Sequence, residues 1–221
     1  MKKYIFITNG SGGCGKDTFA TFLAEIVPTT KFSSIDRVKA IAGYCGWKGQ
    51  KSEKDRKFLS DLKCLTTEYN DMPFVSIKER VERFKRDKKH VVMLIDIREP
   101  LEIERAKNAF DAATILIKRD SVAPITSNMA DANVNNYEYD FIIENNGTLE
   151  EFKETVAKFA EAYIDYSPPD KYKEALLNIE DQLCDDYIDI SDDFESIELE
   201  IIKEAIELYK EKREERKINH E

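Results

Sequence analysis

The chain has 221 residues, enough for one good core or for one domain with an appendage, and its 42% hydrophobic and 35% charged composition is that of an ordinary globular protein. Its longest apolar run, VVMLI at residues 91–95, falls far short of the roughly 20 residues a membrane span needs. The opening MKKYIFITNG runs into glycines and Lys16 without a cleavage site, so no signal peptide is expected and the cytoplasm is the expected location.

The net charge of −10 belongs to the end of the chain: residues 1–165 hold 26 acidic and 26 basic side chains, and residues 166–221 hold 18 and 8. A neutral body argues against nonspecific nucleic-acid binding, which needs a basic surface to neutralise phosphates. Cys14, Cys45, Cys64 and Cys184 show no paired short spacing, and His90 and His220 are the only histidines. Zinc patterns and histidine triads are therefore not expected, and any chemistry falls to lysine, arginine, carboxylates and backbone amides.

Residues 3–8 are mostly apolar, as expected for a strand buried on both faces of a parallel sheet. A glycine cluster follows, and then Phe19, Phe22, Leu23, Ile26 and Val27 recur at helical spacing until Pro28. A short strand, KFSS, leads to a helix from Asp36 that carries Val38, Ile41, Ala42 and Cys45 on one side. Phe58, Leu62, Leu65 and Tyr69 mark the next helix, and Pro73 begins another with Val75, Ile77, Val81 and Phe84 facing inward. VVMLIDI is a second apolar strand, ending near Asp96; Pro100 opens a helix with Leu101, Ile103, Ala106 and Phe110, and AATILI is a strand. Residues 119–139 are polar and lack a period, which reads as a loop or short lid. YDFIIEN is the last strand, and Thr148 with Glu151 forms a capping box before Leu149, Phe152, Val156, Phe159 and Tyr163. Past SPPD, a natural boundary near residue 165, the pattern is two acidic amphipathic helices.

Strands separated by helices predict βαβ units, right-handed crossovers and a parallel sheet covered on both faces. The active site of such a sheet lies beyond the carboxyl ends of its strands. Four stretches follow strands directly and are expected to converge there: residues 9–18, 96–98, 118–119 and 145–148.

Gly10, Ser11, Gly12, Gly13, Cys14, Gly15 and Lys16 fit G-x-x-x-x-G-K between a strand and a helix, which is the phosphate-binding loop. The glycines let backbone N–H groups wrap phosphates, the helix points its positive end at them, and Lys16 supplies a point charge. The usual Ser or Thr after the lysine is displaced by one: Asp17 comes first and Thr18 second. A carboxylate beside phosphates is repelled unless a cation bridges them. Asp17 therefore has two readings, a contact to Mg²⁺ or the acceptor, or a complement to the helix dipole. Thr18 is the preferred hydroxyl ligand. Asp96, at a strand end, is either an acid for Mg²⁺ and its waters or an ordinary carboxylate. Arg98 either clamps a phosphate or pairs with Glu102. Lys118 and Arg119 leave a strand toward the irregular segment, where Arg119 is either a transition-state cation on a lid or a solvated side chain. Residues 51–89 carry 12 basic and 8 acidic side chains. An acceptor phosphate would find Arg37, Lys39 and Arg56 there or nearby, each of which also reads as part of a solvated helix face.

The blocks GCGKDT, FSSIDRVK, KDRKFLSDL, LIDIREPLEIERA and YDFIIENNGTLEEF resemble the P-loop kinases of the nucleoside monophosphate kinase group, most of all the phage-type deoxynucleoside monophosphate kinases. The resemblance covers most of residues 1–165 and is shared in part with dephospho-coenzyme A kinases. It implies a three-layer α/β fold with a five-stranded parallel core, an acceptor-binding helical region at about 36–88 and a lid at about 119–137; the helical extension expected at 166–221 is read from the residues alone and is not explained by the resemblance. It implies ATP as donor with Mg²⁺, and Asn145, Asn146, Gly147 and Thr148 as the loop beside the donor base. Lys16, Arg98 and Arg119 would stabilise the transferred group, and Asp36 with Arg37 would face the acceptor. The leading expectation is phosphoryl transfer from ATP to a (deoxy)nucleoside monophosphate. Transfer to another phosphorylated metabolite, such as dephospho-coenzyme A, stays open. So does a nucleotide-binding module whose acidic tail docks a protein partner or a second copy.

Overall fold

The computed structural model describes residues 2–50, 52–122, 134 and 136–167. Cys184, His220, the acidic extension past residue 167 and most of the expected lid lie outside the described residues.

The polypeptide alternates as anticipated: β1 (Tyr4–Asn9), α1 (Lys16–Ile26), β2 (Thr29–Ser33), α2 (Asp36–Tyr44), α3 (Glu53–Asn70), α4 (Met72–Arg86), β3 (Val92–Asp96), α5 (Pro100–Phe110), β4 (Ala113–Lys118), β5 (Phe141–Glu144) and α6 (Leu149–Tyr163). The strands form one sheet in the order β2-β3-β1-β4-β5, all pairs parallel. This is a three-layer α/β fold. On one face Phe6, Leu94, Ile115 and Ile117 pack with Phe19, Phe22 and Leu23 of α1 and Phe152, Val156 and Phe159 of α6. On the other, Ile5, Ile7, Phe32, Met93 and Ile95 meet Ile77, Val81 and Phe84 of α4 and Ile103, Ala106 and Phe110 of α5. Burial on both faces explains why the central strands read as unbroken apolar runs. Among the described residues no helix is long and apolar enough to cross a membrane.

The helix ends follow local chemistry. Thr148 and Glu151 form the expected capping box at α6, and Ser52 with Asp55 forms a second one at α3. Asp71, with φ of 54°, closes α3 and opens α4, and the Arg105 guanidinium of α5 grips its carboxylate while lying 3.6 Å over the Phe74 ring.

Val75, expected to face inward, faces water, and the apolar stripes of the other helices are only partly buried. Val75 and Leu101 are exposed because each lies two residues, roughly 200° of helix rotation, from the buried Ile77 and Ile103 that set the contact face. Cys45 is exposed and Ile41 is half-buried, since α2 seats only Val38 and Ala42. The apolar stripe of α3 is real, but none of its residues is fully buried, and Leu65 and Tyr69 are 64% and 84% exposed. This helix packs on α2 and α4, one layer out from the sheet. Ile26, Leu149 and Tyr163 also reach solvent, at or near helix ends.

Phe159 sits among the rings of Phe6, Phe19, Phe141 and Tyr163 at centroid distances of 5.3–5.9 Å. Phe159→Ala should lower unfolding free energy by about 3–5 kcal/mol in urea titrations, whereas Leu65→Ala should stay within about 0.5 kcal/mol of the parent.

Candidate active site

β1 lies between β3 and β4, so the chain reverses its direction of sheet growth there and a crevice opens beyond the carboxyl end of β1. The loop that fills this position turns where a side chain has no room. At Gly10, φ 147°, an added Cβ would stand 2.4 Å from the Ile117 carbonyl oxygen and 2.5 Å from the Cys14 Sγ. At Gly15, φ 104°, it would stand 2.4 Å from the Asn145 Nδ2. Gly15 is the N-cap of α1 and no side chain caps that end, so the first-turn N–H groups point toward the loop mouth. Lys16 folds back over the loop, its ammonium donating to the carbonyls of Gly10 and, at 3.1 Å, Ser11. The loop is a P-loop.

Register brings the acids to the same place. Thr8 pairs with Asp96 across β1 and β3, and its hydroxyl donates to Asp96 Oδ1 at 2.5 Å. Lys31 of β2 donates to Asp17 Oδ1 and lies 3.0 Å from Asp96 Oδ2, so one ammonium joins the first turn of α1 to the end of β3. The hydrogen bond from Lys31 holds the Asp17 carboxyl below the usual aspartate range, against a smaller opposing effect of burial, and the charge of Lys16 adds to it. Burial pushes the Lys31 amine down, but its bond to Asp17 and the charge of Asp96 outweigh that, and the net shift is upward. Asp17 and Asp96, brought together by Lys31, present hard oxygen donors at the loop, and Thr18, the other expected ligand, is the third residue of α1. Among the described residues no three His, Cys, Asp or Glu side chains gather to hold a metal by themselves. Mg²⁺ on a nucleotide takes only one or two carboxylates and completes its shell with phosphate oxygens and water, so the set fits it.

The remaining candidates divide by location. Asn145 braces the P-loop from below, donating from Nδ2 to the Cys14 carbonyl at 2.8 Å while its N–H meets the Lys118 carbonyl. Asn146 exchanges two bonds with Asp120, to its backbone N–H and its carboxylate, and Thr148 caps α6. Lys118 pairs with Asp120 at 3.2 Å, and Arg119 is exposed beside them. Between these residues and the P-loop lies a cleft of about 160 Å³ lined by Ser11, Cys14, Leu116, Arg119 and Val134 among others. Arg98 is exposed at the mouth after β3, and Glu102, its alternative partner in sequence, holds Lys63 of α3 at 2.7 Å. On α2, Asp36 accepts from the Ser33 N–H at 2.9 Å and lies 3.4 Å from Lys39. Arg37 reaches Glu79 of α4 at 3.3 Å, and Arg56 lies on the first turn of α3.

No family model matches the sequence, and neither does any curated protein. Solved structures resemble it at low identity. TT1252 from Thermus thermophilus is 16% identical with a TM-score of 0.45, matching 75% of this chain and all of its own. The tunicamycin resistance protein of Deinococcus radiodurans is 13% identical with a TM-score of 0.46, matching 76% of this chain and all of its own. Dephospho-CoA kinase from Campylobacter jejuni is 16% identical with a TM-score of 0.40, matching 72% of this chain and 97% of its own. The fold assignment stands on the strand order and the loop described above.

Two residues were not legible as site residues from spacing. Lys31 is a charge inside a short strand, which is an anomaly by itself, but its partners become visible only once β2 is placed beside β3. Asn9 is fully buried and makes three bonds: its Oδ1 accepts the Gly10 N–H at 2.8 Å, and its Nδ2 donates to the Arg98 carbonyl at 3.2 Å and the Tyr139 hydroxyl at 2.8 Å. Tyr139 in turn donates to the Val134 carbonyl. Burial pushes the Tyr139 hydroxyl up to about 12, with the Asn9 bond opposing. The folded protein thus keeps this proton where the unfolded chain, near the ordinary value of about 10, loses it. The resulting stability is complete below about pH 10 and is lost as pH rises toward about 12. Urea midpoints measured across that window should fall more steeply for the parent than for Tyr139→Phe; equal slopes would contradict the assignment.

Proposed function

We propose that the protein transfers the terminal phosphoryl group of ATP to a small phosphorylated acceptor, and that the acceptor is a deoxynucleoside monophosphate. The observation that carries this reading is the P-loop at the sheet's switch point, with Lys16 folded over it and Asp96 at the adjoining strand end. Phosphoryl transfer asks little covalent chemistry of a protein: in-line placement and neutralisation of charge on the moving group supply most of the acceleration. The available groups suit that task. First-turn N–H groups of α1 and the Lys16 ammonium would hold the donor phosphates, and Arg98 and Arg119 stand at the two strand ends that flank β1. Asp17, Thr18 and Asp96 would hold Mg²⁺, which when bound supplies positive charge beside the terminal phosphates. Asp36, Arg37 and Lys39 belong to α2 and Arg56 to α3, the helices that would bind the acceptor; that assignment and the narrower choice of a deoxynucleotide rest on the sequence resemblance.

The test is ADP production from ATP and Mg²⁺ across ribo- and deoxynucleoside monophosphates and dephospho-coenzyme A. A deoxynucleoside monophosphate should stimulate turnover most. Lys16→Ala should reduce that turnover by about a hundredfold to a thousandfold with unchanged circular dichroism. Turnover with dephospho-coenzyme A alone would transfer the reading to that acceptor, and ATP binding without any stimulated turnover would leave a nucleotide-binding module.

A further inference from the structure

A carboxylate immediately after the P-loop lysine is an electrostatic problem, since Asp17 and Asp96 together place two negative charges where phosphates are to bind. The structure contains a candidate solution. Lys31 stands on the sheet face that α1 covers: it is in register with Leu94, two positions before Ser33 and Asp96 on the neighbouring strands, and Thr8 shares that face from β1. A lysine on an edge strand ordinarily extends its ammonium into water. Here the side chain is only 25% exposed, and the ammonium contacts both carboxylates, from elements far apart in sequence. Lys16 and Lys39 add weaker charge effects at Asp17, but their ammonium groups lie on the Gly10 and Ser11 carbonyls and on Asp36.

We propose that Lys31 is a positioning residue of the phosphate site: its ammonium is the resident counter-cation of the Asp17–Asp96 pair, and a divalent cation must compete with it for those oxygens. This rests on the phosphate-binding reading of the loop, although it concerns the protein's own carboxylates rather than turnover. Lys31 halves the negative charge of the pair and fixes α1 against β3. It also makes the pair a poor cation trap until a nucleotide contributes further phosphate oxygens.

The test uses Mn²⁺ alone, titrated into the full chain without nucleotide or acceptor and followed by the paramagnetic resonance of the free ion. The parent should bind weakly and Lys31→Met about tenfold or more tightly, because an uncompensated pair of carboxylates attracts a dication more strongly. Lys31→Arg should bind as the parent does, and Asp17→Asn added to Lys31→Met should return affinity to the parental level. A folded Lys31→Met with parental Mn²⁺ affinity would overturn the proposal. A second measurement needs no variant at that position: in the parent, acylation of the Lys31 amine by acetic anhydride, read by peptide mass, should accelerate when saturating Mn²⁺ draws the carboxylates away. Unchanged labelling would overturn it as well. Neither readout involves phosphoryl transfer, so an inactive enzyme with the expected Mn²⁺ behaviour would remove the kinase reading and leave this one standing.

Discussion

Everything at the candidate site depends on how closely the backbone leaving β1 approaches its neighbours. The loop passes under the Ile117 carbonyl at Gly10 and against the Asn145 amide at Gly15, with gaps that no β-carbon could occupy. Those two contacts set where α1 begins and therefore where its unpaired N–H groups point. The same approach lets Asn145 reach the Cys14 carbonyl, fastening the loop to the strand at the sheet's other edge. Parallel pairing of β3 and β4 on either side of β1 then delivers Asp96 on one flank and Lys118 with Arg119 on the other.

Charge is the second organising constraint. The site gathers two carboxylates and two lysines within the reach of one loop, and the resulting pattern is alternating rather than uniformly basic. Such an arrangement keeps local net charge low while leaving directional donors and acceptors in place. It resolves the oddity of an acid at position 17 through tertiary contact, with the helix-dipole benefit of an acidic first turn retained alongside.

Much of this was readable from the chain. Strands buried on both faces announce themselves as apolar runs, the glycine spacing names its own geometry, and Thr148 with Glu151 predicts a helix start from two residues. Legibility failed where a reading needs a neighbour. The stripe on α3 has helical spacing whether it faces a sheet or two other helices, so Leu65 and Tyr69 mark the helix without showing that both side chains reach water. Val75 was misplaced because a few apolar residues near the right phase suggest a face without defining its centre. Lys31 and Asn9 act through partners on other strands or after the polar segment, and no local pattern encodes those distances.

Asn9 has a mechanical consequence. Its amide is fully buried with its oxygen and nitrogen both engaged, linking the first N–H of the P-loop, the carbonyl of Arg98 and the hydroxyl of Tyr139. Withdrawing Tyr139 would strand a donor away from water, at about 1–3 kcal/mol. Tyr139, two residues ahead of β5, is therefore tied to Gly10 through a single side chain, so the entry to the last strand and the start of the loop share one fastening.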